Sequence, residues 1–258
     1  MIISLTEKCS EGCSHCFINS LPKSPIMTEE TLEGVIEFLN RIKPMVILLS
    51  GGEFTEHPEF YRFAMRIIHA VRPHGSTMVN LLSNGSWFFD ERKADMIKLM
   101  AEPEVKIVQI RTHKKYYPNY KRTIAAKAQI EALSDKIAMF EDGIDLFPLG
   151  RARANHKDEI ARKYPMCSNL FLIVRQGAVT CFAGLLQMLE MQGRVCAPFL
   201  SSKGILHAGE TPYCENIGNV KSTDAEIFEN ILRNCKPKNV CGLYKNLPAN
   251  AKAIIENV

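Results

Sequence analysis

Short apolar, β-branched runs alternate with amphipathic helical stretches from the first residue of this chain, and that alternation admits few folds. MIISLT (1–6) reads as a strand, and MVILLS (45–50), TMVNLLS (77–83) and VKIVQIR (105–111) follow it. Runs without a polar face suit strands covered on both sides. Between the first two, Thr28 stands as a helix N-cap, with Glu29 and Glu30 in the first turn opposing the helix dipole. Leu32, Val35, Ile36, Leu39 and Ile42 recur at helical spacing, and Pro44 ends the run. Further helices are expected over 58–72, from a cap at Asp90 through Met100, and over 119–133. Strands near 136–140 or 144–148, and near 170–175, continue the series. Such a succession predicts a parallel sheet with right-handed crossovers. About six units fit before residue 180, too few for a closed eight-unit barrel. The expected fold is α/β, a partial (βα)6 TIM-type barrel over residues 1–165. A Cys-containing C-terminal extension, 166–258, has room to complete the barrel and hold a second metal.

In parallel α/β folds the carboxyl ends of the strands carry the chemistry. After the first strand come Cys9, Cys13 and Cys16, and after the second SGGE, Ser50–Glu53. After the third comes SNG, 83–85; after the fourth, Arg111, Thr112 and His113; after a later one, PLGRARA, 148–154. A glycine in one loop needs no more than a tight turn. Glycines and polar groups at the same end of successive strands describe one mouth.

Nine cysteines occur in a chain whose opening residues lack the basic head and apolar core of a secretory signal. Closely spaced cysteines then read as metal ligands rather than disulfides, and the protein is expected in the cytoplasm. For an isolated cysteine, burial as a small hydrophobe is the plain alternative. No apolar run is long enough for a membrane span. The net charge of +4 does not call for a nucleic-acid partner.

The C-x3-C-x2-C loop after the first strand, joined to Gly-Gly-Glu after the second, resembles the radical S-adenosylmethionine (SAM) enzymes over about residues 1–180. The resemblance implies an oxygen-sensitive [4Fe–4S] cluster on Cys9, Cys13 and Cys16, with SAM as second cofactor and a reductase such as flavodoxin or ferredoxin as partner. Thiolates are the usual cluster ligands, so three cysteines leave one iron without a protein ligand. By resemblance, the amino and carboxylate groups of SAM chelate that iron. One electron then breaks the sulfur–C5′ bond, and the 5′-deoxyadenosyl radical takes a hydrogen from an unactivated carbon. Gly51 and Gly52 would let backbone approach the methionine end. Glu53 would accept a hydrogen bond from the SAM amino group. Ser83 and Asn84 would contact ribose or carboxylate, and Arg111 the SAM carboxylate or the substrate. His15 stands where many members carry an aromatic ring and would pack by the adenine. A zinc site on the three cysteines and His15 would explain the trio, but not the Gly-Gly-Glu that follows.

Six further cysteines lie toward the C-terminus. CSNLFLIVRQGAVTC, IGNV (217–220) and a capping box at Thr223 and Glu226 resemble a reduced form of the auxiliary-cluster tails called SPASM or twitch domains. A second iron–sulfur or zinc site is expected on Cys167, Cys181, Cys235 and Cys241, with Cys196 and Cys214 as substitutes.

The stretch RTHKKYYPNYKR (111–122), with Arg151 and Arg153, is a basic cluster with aromatics at the mouth. It reads either as a solvated face or as a receptor for a small anionic, nucleoside-like substrate. A lyase releasing queuine from queuosine 5′-phosphate is the specific candidate. A peptide or protein maturase of the SPASM/twitch type is the alternative, set back by the lack of room for a leader-binding domain at either end. A non-catalytic, zinc-bearing RNA-binding module is the third reading.

Overall fold

The first strand, β1 (Ile2–Thr6), buries all of its side chains except that of Ile2, which is half-buried. It can do so because strands flank it on both sides. β2 (Val46–Gly51) and β6 (Phe199–Leu200) both pair with it in parallel. From β2 the sheet continues in parallel through β3 (Met78–Ser83), β4 (Val105–Arg111) and β5 (Ile137–Phe140). Beyond β6, the short β7 (Ile205–His207) and β8 (Asn216–Asn219) add on antiparallel. The order is β5-β4-β3-β2-β1-β6-β7-β8. Among the described residues β5 and β8 stand at its two ends, as in a partial barrel. The structure, a computed structural model, describes residues 1–142, 146–147, 149–163, 181–192, 197–209, 212, 214–234 and 249.

The parallel series was expected to run on through 170–175, a stretch outside the described residues. Among those described, the sixth parallel strand is β6, on the side of β1 away from β2. The candidate fifth strand at 136–140 pairs with β4, and most of 144–148 lies outside the described residues.

Helix α1 (Glu29–Ile42) starts as its sequence predicts: the Thr28 hydroxyl accepts the Thr31 N–H at 3.2 Å. It ends at Lys43, in the left-handed region at φ 48°, just before Pro44. Leu32, Val35, Phe38, Leu39 and Ile42 face the sheet and are buried. Each large apolar side chain so buried contributes about 1.5–3 kcal/mol before entropy is counted. α2 (Phe60–Val71) and α3 (Arg92–Ala101) cover the next crossovers in the same way. The helix expected over 119–133 is two: α4 (Tyr120–Ala125) and α5 (Lys127–Glu131). They break at Ala126, whose N–H is shared between the Arg122 and Thr123 carbonyls at 3.3 and 3.2 Å. Two short helices follow, α6 (Gly150–Asn155) and α7 (Lys157–Lys163).

α8 (Phe182–Gln192) has its first N–H groups capped by the Asp224 carboxylate at 2.9 and 3.1 Å. Asp224 opens α9 (Asp224–Asn234), whose capping box forms: Thr223 N–H to Glu226 at 2.7 Å and Glu226 N–H to Thr223 at 3.2 Å. No helix among the described residues is long and apolar enough to cross a membrane.

Candidate active site

Past Thr6 the chain turns out of β1 into the cysteine loop and returns at Ile26, which bridges to Thr6. The end of β2 packs hard against the start of this loop. Gly52 N–H donates to the Thr6 carbonyl at 2.7 Å and Glu53 N–H to that of Lys8 at 2.8 Å. A Cβ on Gly51 would lie 2.0 Å from the Thr6 oxygen, and one on Gly52 2.3 Å from the Lys8 oxygen. Gly51 also holds φ +140°, which side-chain-bearing residues rarely adopt. The glycine pair therefore welds two strand ends together, and the missing Cβ atoms face protein backbone.

Over this junction opens a cavity of about 150 Å³. Cys9, Cys13, Cys16 and His15 line one part of it, and Gly51, Gly52, Ser83, Asn84 and Arg111 another. Sequence reasoning brought these residues together on strand ends and on the family resemblance. Tyr117 and Arg151, from the basic cluster, line it as well, as do Ser50, which opens the SGGE motif, and Phe17, which sequence reasoning did not single out. Phe17 directly follows the third cysteine, so its place in the motif was the available signal.

Glu53 is turned away from the cavity and is 1% exposed. One carboxylate oxygen accepts the Thr55 and Ser83 hydroxyls at 2.8 and 2.9 Å; the other accepts the Asn84 N–H at 2.7 Å. Burial pushes its pKa up, opposed by these hydrogen bonds. The acceptor expected for the SAM amino group is thus filled by the protein's own donors.

Burial pushes the Cys13 thiol up to about 12 and the Cys9 thiol higher still. Metal ligation needs thiolates, so only a strongly cationic centre offsets that cost. Two of the sulfurs already meet N–H groups, Ser20 N–H on Cys16 at 3.3 Å and the Asn84 amide on Cys9 at 3.8 Å. His15 lies between the Tyr116 and Tyr117 rings, with centroids at 5.3 and 4.7 Å. Burial lowers its pKa to about 4, so the imidazole is neutral, and its Nδ1 meets no hydrogen-bond partner among the described residues. Two buried thiols and a half-buried one, a spare imidazole nitrogen and, among the described residues, no fourth cysteine on the cavity wall fit a cluster with one iron left open. Among the described residues no three His, Cys, Asp or Glu side chains converge to hold a metal ion. A single zinc would need all its ligands at about 2.0–2.3 Å, whereas a cubane spreads its thiolates over separate irons.

The loop is held from outside by α6 and the residue after it. Arg151 N–H donates to the Cys16 carbonyl at 2.9 Å, and its guanidinium to the Cys13 and Ser20 carbonyls at 2.8 and 2.9 Å. Asn155 donates to the Ser14 carbonyl at 3.0 Å, and His156 pairs with the Ser14 hydroxyl at 2.9 Å. Gly150, at φ +52°, lets this segment approach: a Cβ there would sit 2.5 Å from the Phe17 oxygen.

The basic stretch divides in two. Lys115 pairs with Glu159, which also takes the Tyr116 hydroxyl at 2.6 Å, and Lys127 pairs with Glu141 at 3.0 Å. Arg122 lies over the Phe89 ring at 3.7 Å. Arg111, over the Phe140 ring at 4.7 Å, faces the cavity. Lys115, Arg122 and Arg151 of the expected cationic cluster are therefore engaged within the protein, while Lys127 lies beyond it.

Of the C-terminal cysteines, Cys167, Cys196, Cys235 and Cys241 lie outside the described residues. Cys181 accepts the Gly184 N–H at 3.4 Å as the cap of α8. Cys214 is buried beside Leu149, with Phe17 and Phe147 packed against them.

Residues 3–114 match the family model described as the radical SAM superfamily. No curated protein matches. Among solved structures, the chain is similar to BtrN in complex with AdoMet and 2-DOIA: 12% identity, 97% of this chain and 91% of that chain covered, TM-score 0.60. It is also similar to anSMEcpe with bound AdoMet, at 15% identity over 88% of this chain and 80% of that one, TM-score 0.53. A third similar structure is anSMEcpe with AdoMet and Cp18Cys peptide, at 14% identity over 89% and 80%, TM-score 0.51. At these identities the likeness is one of fold.

Proposed function

We propose, on the match of residues 3–114 to the radical SAM superfamily model, that the chain is a radical SAM enzyme that abstracts hydrogen from a small anionic substrate held at the mouth of the sheet. As a radical SAM enzyme it uses a [4Fe–4S] cluster and SAM, which together supply reductive cleavage of the sulfonium and a hydrogen-abstracting carbon radical.

In this reading Cys9, Cys13 and Cys16 hold the cluster. The backbone at Gly51 and Gly52 lies along the methionine end of SAM, and Ser83 marks the wall nearest its ribose or carboxylate. His15 packs by the adenine, offering Nδ1 to a polar group of the cofactor. Tyr117 covers the other side of His15 and keeps water from the reacting carbon.

The observation that carries the anionic substrate is Arg111. Its guanidinium rests on Phe140, lines the cavity and makes no ion pair or hydrogen bond among the described residues. A planar donor fork in such a place suits a carboxylate or phosphate. A nucleoside 5′-phosphate supplies the anion that Arg111 suits. Queuosine 5′-phosphate, cleaved to release queuine, is the specific candidate within that class. A peptide substrate is the second reading; the anSMEcpe fold is known with a bound peptide.

The test is anaerobic turnover with dithionite and SAM, following 5′-deoxyadenosine. A nucleoside monophosphate panel that includes queuosine 5′-phosphate is expected to raise the yield above the substrate-free rate. An unchanged yield across the panel, with stimulation by cysteine- or serine-containing peptides, would transfer the protein to the second reading.

A further inference from the structure

Asn84 sits directly after β3, and four hydrogen bonds fix it. Its N–H donates to Glu53 at 2.7 Å, and its side-chain oxygen accepts the Ser86 N–H at 2.8 Å. Its carbonyl accepts the Asn119 amide at 3.3 Å. The fourth bond is the functional one: the side-chain Nδ2 points at the Cys9 sulfur, 3.8 Å away. Among the described residues this is the side-chain donor that reaches a sulfur of the trio. Asn84 is 7% exposed and Cys9 8%, so water competes little for either group.

We infer that Asn84 is a positioning residue that sets the reduction potential of the cluster by donating its amide N–H to the Cys9 sulfur. The inference rests on the cluster assignment proposed above. One-electron reduction adds negative charge that spreads onto the ligand sulfurs, and an N–H aimed at one of them stabilises the reduced form more than the oxidised form. The protein thus raises the potential at Cys9, from the same strand end that Glu53 holds in place. Fixing the amide through Ser86 on one side and Glu53 on the other keeps the donor aligned at no cost in reorganisation.

The test is an EPR-monitored redox titration of the reconstituted protein, with dithionite as electron source and no SAM present. Asn84→Leu removes the donor. Asn84→Ser also removes the amide, adds no charge and keeps an oxygen for the Ser86 N–H. Both variants are expected to bind wild-type amounts of iron and to titrate at a more negative potential, with a severalfold lower reduced fraction at a fixed potential. If Asn84→Leu loses iron, the same shift in Asn84→Ser carries the inference. Wild-type potential in an iron-loaded variant, or loss of iron from both variants, overturns it and leaves Asn84 a purely structural residue. Wild-type protein that takes up no [4Fe–4S] cluster overturns the cluster assignment itself, so the two failures are told apart.

Discussion

The Ser83 hydroxyl, at the end of β3, donates to the Glu53 carboxylate beyond β2, 2.9 Å from one oxygen and 3.1 Å from the other. With the Asn84 N–H on the same carboxylate, this bond joins two strand ends that wall the cavity. The third residue of Gly-Gly-Glu therefore acts within the protein, beneath the cofactor site.

Glu53→Gln keeps the shape and replaces one acceptor with a donor facing N–H and O–H groups. The buried mismatch is expected to cost about 1–3 kcal/mol. It should also weaken SAM binding, by loosening the Ser83 and Asn84 wall. Urea unfolding and equilibrium SAM binding check both effects. An unchanged unfolding midpoint would contradict the structural role.

Gly150→Ala places a methyl group 2.5 Å from the Phe17 carbonyl and forces a residue with a Cβ to φ +52°. A cost of about 1–3 kcal/mol is expected, paid where α6 meets the cysteine loop. Iron bound per chain after anaerobic reconstitution should fall below wild type. Full iron loading at wild-type stability would show that the loop does not depend on this contact.

Hydrogen bonds from Lys115 and Tyr116 hold the Glu159 carboxyl down at about 2, below its usual 4.5. A depressed carboxyl stabilises the fold above its unfolded pKa and loses that contribution as pH falls toward the folded value. Glu159→Gln is therefore expected to lower Tm at pH 6 and to match wild type increasingly as pH falls from about 4.5 toward 2. A Tm difference that stays constant over that interval would argue against the pairing. The consequence reaches the site because Tyr116, which Glu159 holds, accepts the Ser14 N–H at 3.2 Å.

Arg111→Ala removes the open guanidinium and should leave cluster content intact. Binding of SAM or of an anionic substrate is expected to weaken by about tenfold or more, the scale of one charge-assisted contact. Arg111→Lys should recover only part of it, since an ammonium lacks the planar fork. Wild-type affinity for both ligands in the alanine variant would remove Arg111 from the site.

Much of this was legible because long-period signals and short motifs carry it. The apolar runs of β1 to β4, the Thr28 cap, the Thr223–Glu226 box and the convergence of three strand ends on Cys9, Cys13 and Cys16 follow from local chemistry. The direction of the Glu53 side chain did not follow, because its partners Ser83 and Asn84 lie about thirty residues on and meet it only in the folded sheet. The strap from Gly150 to His156 is polar and short, with no periodicity to reveal it. β6 and β7, of two and three residues, are too short for alternation to register. The engagement of Lys115 was not legible because its counter-charge, Glu159, is remote in sequence.

EPR of the dithionite-reduced, reconstituted protein before and after SAM is added tests the coordination of the cluster most directly. The account predicts about four irons per chain, a spectrum that changes when SAM occupies the open iron, and no such signal from Cys9→Ala, Cys13→Ala or Cys16→Ala. Protein without iron, or a cluster whose spectrum SAM leaves untouched, would contradict it.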